Sequence, residues 1–157
     1  MSKADVDELL KDIEEQLISI KKYKKITKVK LKSILENLRS SLEYMAQDIN
    51  SALSKKRERV YFPYGDTIEN FKKRINQNLP AIQSEYPALY DFIEHLQPHK
   101  NNGDKWLVDM CRITNDAKHK KLLEVKNEGN DNVVLSSGGI PIFGFIDCEN
   151  SIIEGPQ

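Results

Sequence analysis

The sequence has few cysteines and no long hydrophobic run, and both scarcities exclude large classes of protein. Only Cys111 and Cys148 are cysteines among 157 residues, too few for a disulfide framework and in keeping with a reducing cytoplasm. The longest apolar stretch, within 142–146, is far shorter than the ~20 residues that span a bilayer. The first five residues do not resemble a secretory signal. We therefore expect a cytoplasmic protein that does not enter a membrane.

Motifs for metal, cofactor or nucleotide binding are also missing. No C-x-x-C pair and no G-x-x-x-x-G-K loop occurs. His95 and His99 are four residues apart, but Pro98 interrupts the helical face that a metal pair needs. Cys111 follows Met110 on an apolar stripe, as expected of a buried structural thiol rather than a nucleophile. We expect neither a metal site nor a cofactor.

Charge is distributed unevenly although the net charge is zero. Residues 1–20 carry −4, residues 21–126 carry +9, and residues 127–157 carry −5 with no Lys or Arg. The basic middle favours an anionic partner. A solvated helix face is the simpler explanation of any single cluster, and nucleic acid is the sharper interpretation of several clusters together. The clusters predicted to contact RNA are Lys72, Lys73 and Arg74, and Lys120 and Lys121.

Hydrophobic spacing predicts a mainly helical chain. Apolar residues recur every three or four positions over residues 6–20 and again over 31–52. Polar Lys24 and Thr27 interrupt the stripe beside β-branched residues, so we place a break at about residues 23–28. The simplest arrangement is an antiparallel helix pair. One long bent helix is the alternative, because no Gly or Pro enforces the break.

The rest of the chain divides at about residue 126. Loop residues 60–66 precede a helix capped by Asp66 or Thr67 that ends near Pro80, and further helices begin near Pro87 and after Asp104. Residues 133–146 read as a β-hairpin around Gly138-Gly139. We predict an all-α, up-and-down bundle of four to five helices over 1–126. An acidic β-hairpin extension over 127–157 follows, which would be the start of a truncated region.

The segment 111–121 combines a guanidinium, an amide, a carboxylate and an imidazole in a stretch with few apolar side chains. Arg112 presents a planar fork of donors to phosphate, and His119 exchanges protons near neutral pH. Together they suffice for metal-independent cleavage of RNA by its own 2′-OH. On one helix the two lie ~10.5 Å apart along the axis. Either Asn115 or Asp116 caps a new helix, or two copies of the chain pair Arg112 with His119.

Arg112, Ile113 and His119 after six intervening residues resemble the Arg…His signature of the HEPN superfamily. Segments 38–44, 62–63, 97–98 and 115–120 are similar to uncharacterised bacterial HEPN-like proteins. The resemblance implies a helical bundle and a homodimer with a composite cleft. It also implies an endoribonuclease of toxin–antitoxin or anti-phage systems, with a cognate antitoxin or regulatory protein. By it Arg112 and His119 are catalytic, and Asn115, Asp116 and Lys118 support them.

Two classes of function follow from these residues. The leading hypothesis is a dimeric, metal-independent endoribonuclease of HEPN type. The alternative is a non-catalytic helical module that binds a partner or dimerises, with the apolar stripe of residues 31–52 as the seam. In the alternative, Arg112 pairs with an acid, Asn115 and Asp116 end a helix, and His119 is exposed.

Overall fold

A computed structural model describes the backbone of residues 3–119, 124–128, 132–137, 140–146 and 152–154, and side chains within residues 3–116. These residues belong to two compact units. One comprises Met1–Val6 and Ser40–Val108, and the other comprises Asp7–Arg39 and Asp109–Gln157. Each is described by itself below. Within the described residues, no helix is both long and apolar enough to cross a membrane.

Two long helices open the chain, α1 (Lys3–Tyr23) and α2 (Lys28–Ala52). Three side-chain hydrogen bonds cross between them, at progressively earlier positions of α1 and later positions of α2, so the helices are antiparallel. The pairs are Ser19–Lys30 at 2.7 Å, Gln16–Ser33 at 3.1 Å and Asp12–Asn37 at 2.8 Å. The predicted antiparallel pair is confirmed and the single bent helix is wrong.

The turn between α1 and α2 is short and held by local means. Lys24 adopts φ +47°, the left-handed conformation that commonly ends a helix. Ile26 is buried, and the Thr27 hydroxyl accepts a hydrogen bond from the Lys30 N–H at 3.2 Å. A left-handed residue, an apolar anchor and a capping hydroxyl therefore reverse the chain without Gly or Pro.

Four further helices follow, and local sequence explains most of their limits. They are α3 (Ile68–Asn78), α4 (Ile82–Glu85), α5 (Pro87–His95) and α6 (Trp106–His119). The Thr67 hydroxyl caps α3 by accepting from the Asn70 N–H at 3.2 Å. Pro87 occupies the first turn of α5, where its missing N–H costs nothing. The Asp104 carboxylate accepts from the Trp106 N–H at 2.9 Å ahead of α6.

Each unit has its own buried apolar residues. In the unit containing Ser40–Val108, the phenyl rings of Phe62 and Phe71 are almost completely buried, together with Leu79, Ile82 and Ile93. In the other unit the fully or nearly buried residues come from α1, the first half of α2 and α6: Ile13, Leu31, Ile34, Met110, Cys111 and Ile113. The apolar periodicity of the sequence coincides with burial at these positions, whereas Leu10 and Leu17 of the α1 stripe are exposed.

The helical class is confirmed, but the predicted count of four to five helices is wrong. The described part contains six. The additional helix is α4, a single turn between Pro80 and Pro87 that is too short to show a 3.6-residue period.

Beyond α6 the described backbone has four short strand segments, β1 (Glu124–Glu128), β2 (Asn132–Ser137), β3 (Ile140–Ile146) and β4 (Ile152–Glu154). The predicted hairpin over 133–146 depends on a turn at Gly138-Gly139, and both glycines lie outside the described residues. The hairpin and the domain boundary near residue 126 therefore stay predictions.

Candidate functional site

The helix α6 carries the predicted catalytic pair and is continuous. It extends from Trp106 to His119, so Asn115 and Asp116 lie in its interior and do not cap a new helix. The proposal of a fresh helix start at these residues is therefore wrong. Burial explains the continuity, because Ile113 and Thr114 are almost inaccessible and hold this turn in the core. The Thr114 hydroxyl donates to backbone carbonyls of the preceding turn, at 3.0 Å from both the Met110 and Cys111 oxygens.

Continuity fixes the spacing between positions 112 and 119. Seven residues of α-helix advance ~10.5 Å along the axis and return to within about 20° of the same face. One phosphate cannot easily contact both side chains on a single helix. The arrangement that uses a second copy of the chain therefore stays a prediction.

Arg112 is exposed and oriented by a neighbouring carboxylate. Its Nη2 atom lies 3.0 Å from the Oδ1 atom of Asp109, one turn earlier on α6. The Asp109 side chain is 10% exposed, whereas the Arg112 side chain is 62% exposed. A guanidinium has five N–H donors, so this contact leaves donors that face solvent and are able to bind phosphate.

The other predicted residues of this segment are only partly described. Asn115 and Asp116 are exposed on α6. For Lys118 and His119 the structure describes helical backbone alone, and Lys120 and Lys121 lie outside the described residues. Whether Arg112 and His119 form a site therefore stays a prediction.

The predicted RNA-contacting residues of α3 are all exposed. Lys72, Lys73 and Arg74 separate the buried residues Phe71 and Ile75 on this helix. Arg74 also lies within 3.4 Å of the Gln77 side-chain oxygen. These cations belong to a different unit from Arg112, and they form a basic surface of their own.

Several polar side chains hold the loop before α3, and no sequence pattern indicated them. They bond to the backbone of residues 57–65 from positions up to 34 residues away. Gln97 is completely buried, accepts from the Gly65 N–H at 3.1 Å and donates to the Pro63 carbonyl at 3.4 Å. Hydrophobic periodicity does not reveal such contacts, because a buried Gln interrupts the apolar pattern.

A second unpredicted group surrounds the Glu94 carboxylate on α5. Glu94 Oε1 lies 3.3 Å from His99 Nε2, and Glu94 Oε2 lies 3.8 Å from Lys100 Nζ. The His99 ring is 5.7 Å from the Phe71 ring, which is 5.9 Å from the Tyr90 ring. Burial, followed by the negative charge of Glu94, raises the pKa of the Tyr90 hydroxyl. These contacts attach the turn after α5 to α3.

The histidine spacing of the sequence does not correspond to a paired site. His95 is exposed with its Nδ1 atom 2.7 Å from the Asp91 carbonyl, whereas His99 packs beside Phe71. Across the described part of the chain, no three His, Cys, Asp or Glu side chains are grouped so as to hold a metal ion. Cys111 is completely buried, as its place beside Met110 predicted.

Comparison with protein-family models, with curated proteins and with solved structures finds no match to this chain.

Proposed function

We propose that the chain is a metal-independent endoribonuclease of HEPN type, in which Arg112 of one copy and His119 of a second copy act on one RNA phosphate. The observation that carries the proposal is the unbroken helix from Trp106 to His119 with an exposed guanidinium at position 112. Two such helices, antiparallel across a two-fold axis, bring each Arg112 toward the partner's position 119.

The chemistry requires only groups that these residues supply. The neutral His119 imidazole removes the proton from a ribose 2′-OH, and the 2′-oxygen attacks the adjacent phosphorus. The bond from phosphorus to the 5′-oxygen breaks, leaving a 2′,3′-cyclic phosphate, and the 5′-oxygen takes up a proton from solvent water. Arg112 binds the phosphoryl oxygens as negative charge develops on them. Asp109 orients the guanidinium, and the resemblance assigns a supporting role to Asn115, Asp116 and Lys118.

A cleavage assay with matched histidine variants tests the catalytic assignment. RNA is incubated with the full chain in the presence of a chelator, and His119→Ala is compared with His95→Ala. Loss of a general base lowers the rate by about 100-fold or more, so His119→Ala should be nearly inactive. His95→Ala removes an exposed imidazole from α5 and should retain full activity. Equal rates for both variants, or no cleavage by the wild type, would refute the ribonuclease proposal.

Mixing two inactive variants tests the two-chain arrangement. In a dimer of Arg112→Ala with His119→Ala, one composite site lacks both groups and the other has both. An equal mixture that exchanges subunits freely should recover about a quarter of the wild-type activity. A mixture that forms dimers by native mass but stays inactive would contradict catalysis between copies.

Exposed apolar residues on α1 favour a second candidate, a non-catalytic dimerisation module. Leu10 and Leu17 lie seven residues apart on one helix face and are 44% and 46% exposed. Part of the dimer interface predicted over residues 31–52 belongs instead to the core of the same chain, because Leu31 and Ile34 are buried. Replacing Leu10 and Leu17 by Ser should convert a dimer to a monomer by native mass if α1 is the seam. An unchanged native mass would exclude it.

A further inference from the structure

The connection between α2 and α3 is unusually long and has no regular structure. It contains the fifteen residues Leu53–Thr67. Irregular loops of this length are uncommon within compact domains and are usually functional. Its exposed and buried residues are segregated: Ser54–Arg59 are exposed, whereas Leu53 and Phe62 are buried anchors at 1% and 2% exposure.

The backbone of this loop is fixed by side chains from several elements. The Asn50 amide bonds both the N–H and the carbonyl of Arg57, at 2.8 and 2.9 Å. Other side chains accept from successive N–H groups of the loop, and Gln97 holds its end. The accepting pairs are Tyr61 N with Asn78 Oδ1 at 2.9 Å, Phe62 N with Glu43 Oε2 at 2.9 Å, and Gly65 N with Gln97 Oε1 at 3.1 Å. A loop held at this many points presents its outer side chains in a preorganised arrangement.

The outer face of the loop is basic and aromatic. Lys56, Arg57 and Arg59 are exposed. Tyr61 follows them in the sequence and is 56% exposed. Acidic groups are present too. Glu58 is exposed within the run, and Glu85 lies near Lys55 while its carboxylate bonds Ser54. The cations exceed these acids, and the surface stays positive.

Hydrogen bonds attach this face to the basic helix α3. The Arg57 guanidinium donates from Nη2 to the Asn76 carbonyl at 3.2 Å, and Asn78, which accepts from Tyr61 N, also donates to the Arg74 carbonyl at 2.9 Å. The loop and the last two turns of α3 are therefore joined. Together they place the cations of residues 56–59 and of residues 72–74 on adjoining elements.

An exposed aromatic ring on the same loop as exposed cations suits single-stranded nucleic acid. Cations attract the phosphates, while a base stacks on the aromatic face, and every base has such a face. An acidic peptide would use the cations but has no need of the ring. We propose that Lys56, Arg57, Arg59 and Tyr61 bind single-stranded RNA, with one base stacked on Tyr61. This assignment deepens the proposed function by naming the surface that binds the strand and depends on RNA being the substrate.

The experiment measures binding of a fluorescent single-stranded oligoribonucleotide to the full chain by anisotropy, on a His119→Ala background to prevent cleavage. Tyr61→Ala should weaken binding by about tenfold, within the range for loss of one base–aromatic stack. Tyr61→Phe keeps the ring and should bind within about twofold of the parent. Folding is not at risk, because the loop is held through the Tyr61 backbone N–H, which Ala retains.

Tyr23 supplies a matched control. It is 67% exposed at the end of α1, with the Lys22 ammonium 5.3 Å from its ring centroid. Tyr23→Ala should leave affinity unchanged, although it too removes an exposed tyrosine beside lysines. Arg59→Gln and Lys56→Gln should each reduce the slope of log affinity against log salt by about 0.7, as expected for one lost phosphate contact to a single strand.

The outcomes separate this inference from the ribonuclease proposal. Binding that depends on Tyr61, without cleavage by the wild type, would support the surface and refute the enzyme. Cleavage that depends on His119, with identical affinities for Tyr61→Ala and Tyr23→Ala, would refute the surface and leave the enzyme in place. Equal binding of an acidic peptide, unaffected by Tyr61→Ala, would identify the surface as a peptide site and overturn the RNA assignment.

Discussion

Two connections between helices show opposite ways of ordering a chain. The α1–α2 turn uses residues 24–27 and is held by neighbours in sequence. The α2–α3 loop, Leu53–Thr67, is held by side chains from distant positions, including Gln97. The turn therefore depends on local backbone preference, whereas the loop depends on buried polar groups contributed from elsewhere. Mutations should affect the two connections to different extents.

The largest expected effect is at Gln97. Gln97→Met keeps the length of the side chain but removes the acceptor for Gly65 N–H and the donor for the Pro63 carbonyl. Leaving two such groups unpaired in a buried site should lower the free energy of unfolding by about 3 kcal/mol. Urea denaturation measures the change. Gln83→Met, at an exposed position of α4, is the control and should cost less than about 0.5 kcal/mol. Equal losses would contradict the anchoring role of Gln97.

A smaller effect is expected at Gly65, where the loop backbone approaches α3. A Cβ atom there would lie 2.4 Å from the Phe71 nitrogen and 2.8 Å from the Asn70 carbonyl carbon. Backbone atoms in a helix cannot move aside, so Gly65→Ala should destabilise the fold by about 2 kcal/mol.

Gly103→Ala is the comparison for Gly65→Ala. Gly103 has φ +80° but open space around its Cα. Its substitution tests backbone strain alone and should cost about 1 kcal/mol. A cost at Gly65 no greater than at Gly103 would show that the close approach is tolerated.

A glycine at position 24 should stabilise the α1–α2 turn. Lys24 occupies a left-handed conformation that glycine adopts without steric cost. Lys24→Gly should therefore raise the free energy of unfolding by about 0.5–1 kcal/mol. Thermal unfolding of this variant is compared with Lys25→Gly, which has no positive φ to relieve and should be neutral or destabilised. Stabilisation by both substitutions would mean that removing charge, not strain, is responsible.

The smallest effect concerns pH and the exposed carboxylate that holds the start of the loop. The Ser54 hydroxyl, followed by the Ser54 backbone N–H, lowers the pKa of Glu85. The folded state therefore favours the ionised form of Glu85, and this preference stabilises the fold. The stabilisation is present above the usual glutamate pKa and is lost as pH falls through the lowered value of the folded state.

Ser54→Ala isolates that contribution. The stability difference between wild type and Ser54→Ala should be constant near neutral pH and shrink in acid, as pH falls through the lowered pKa of Glu85. Ser51→Ala serves as the control, because its hydroxyl donates to the backbone carbonyl of Asp48, and its difference should not change with pH. A Ser54 difference that is independent of pH would exclude the Glu85 contribution.

Features of the fold that depend on neighbouring residues could be predicted from the sequence, whereas features that depend on distant residues could not. The break before Lys28, the Thr67 cap, Pro87 at the start of α5 and the Asp104 cap follow from residues within one turn of each boundary. The short α4 was not predictable from periodicity. The sequence left the continuity of α6 through Asn115 open, because a local preference for capping there competes with burial of Ile113 and Thr114.

The candidate sites divide in the same way. The Arg112–Asp109 pair follows from a spacing of three residues on a helix, so the sequence contains it. The surface around Tyr61 cannot be recognised in the sequence. Its geometry depends on hydrogen bonds from the Asn50, Asn78 and Gln97 side chains to backbone groups at distant positions in the chain. A one-dimensional pattern records no contact of that kind.

The sequence by itself determined the helices, their amphipathic faces and the uneven distribution of charge, because these depend on residues three or four apart. Only the tertiary structure decided how the irregular loop is held, which amides are buried against it, and that Tyr61 is exposed on it. The physical reason is that a buried backbone N–H requires a partner, and nothing in the local sequence states which distant side chain provides it.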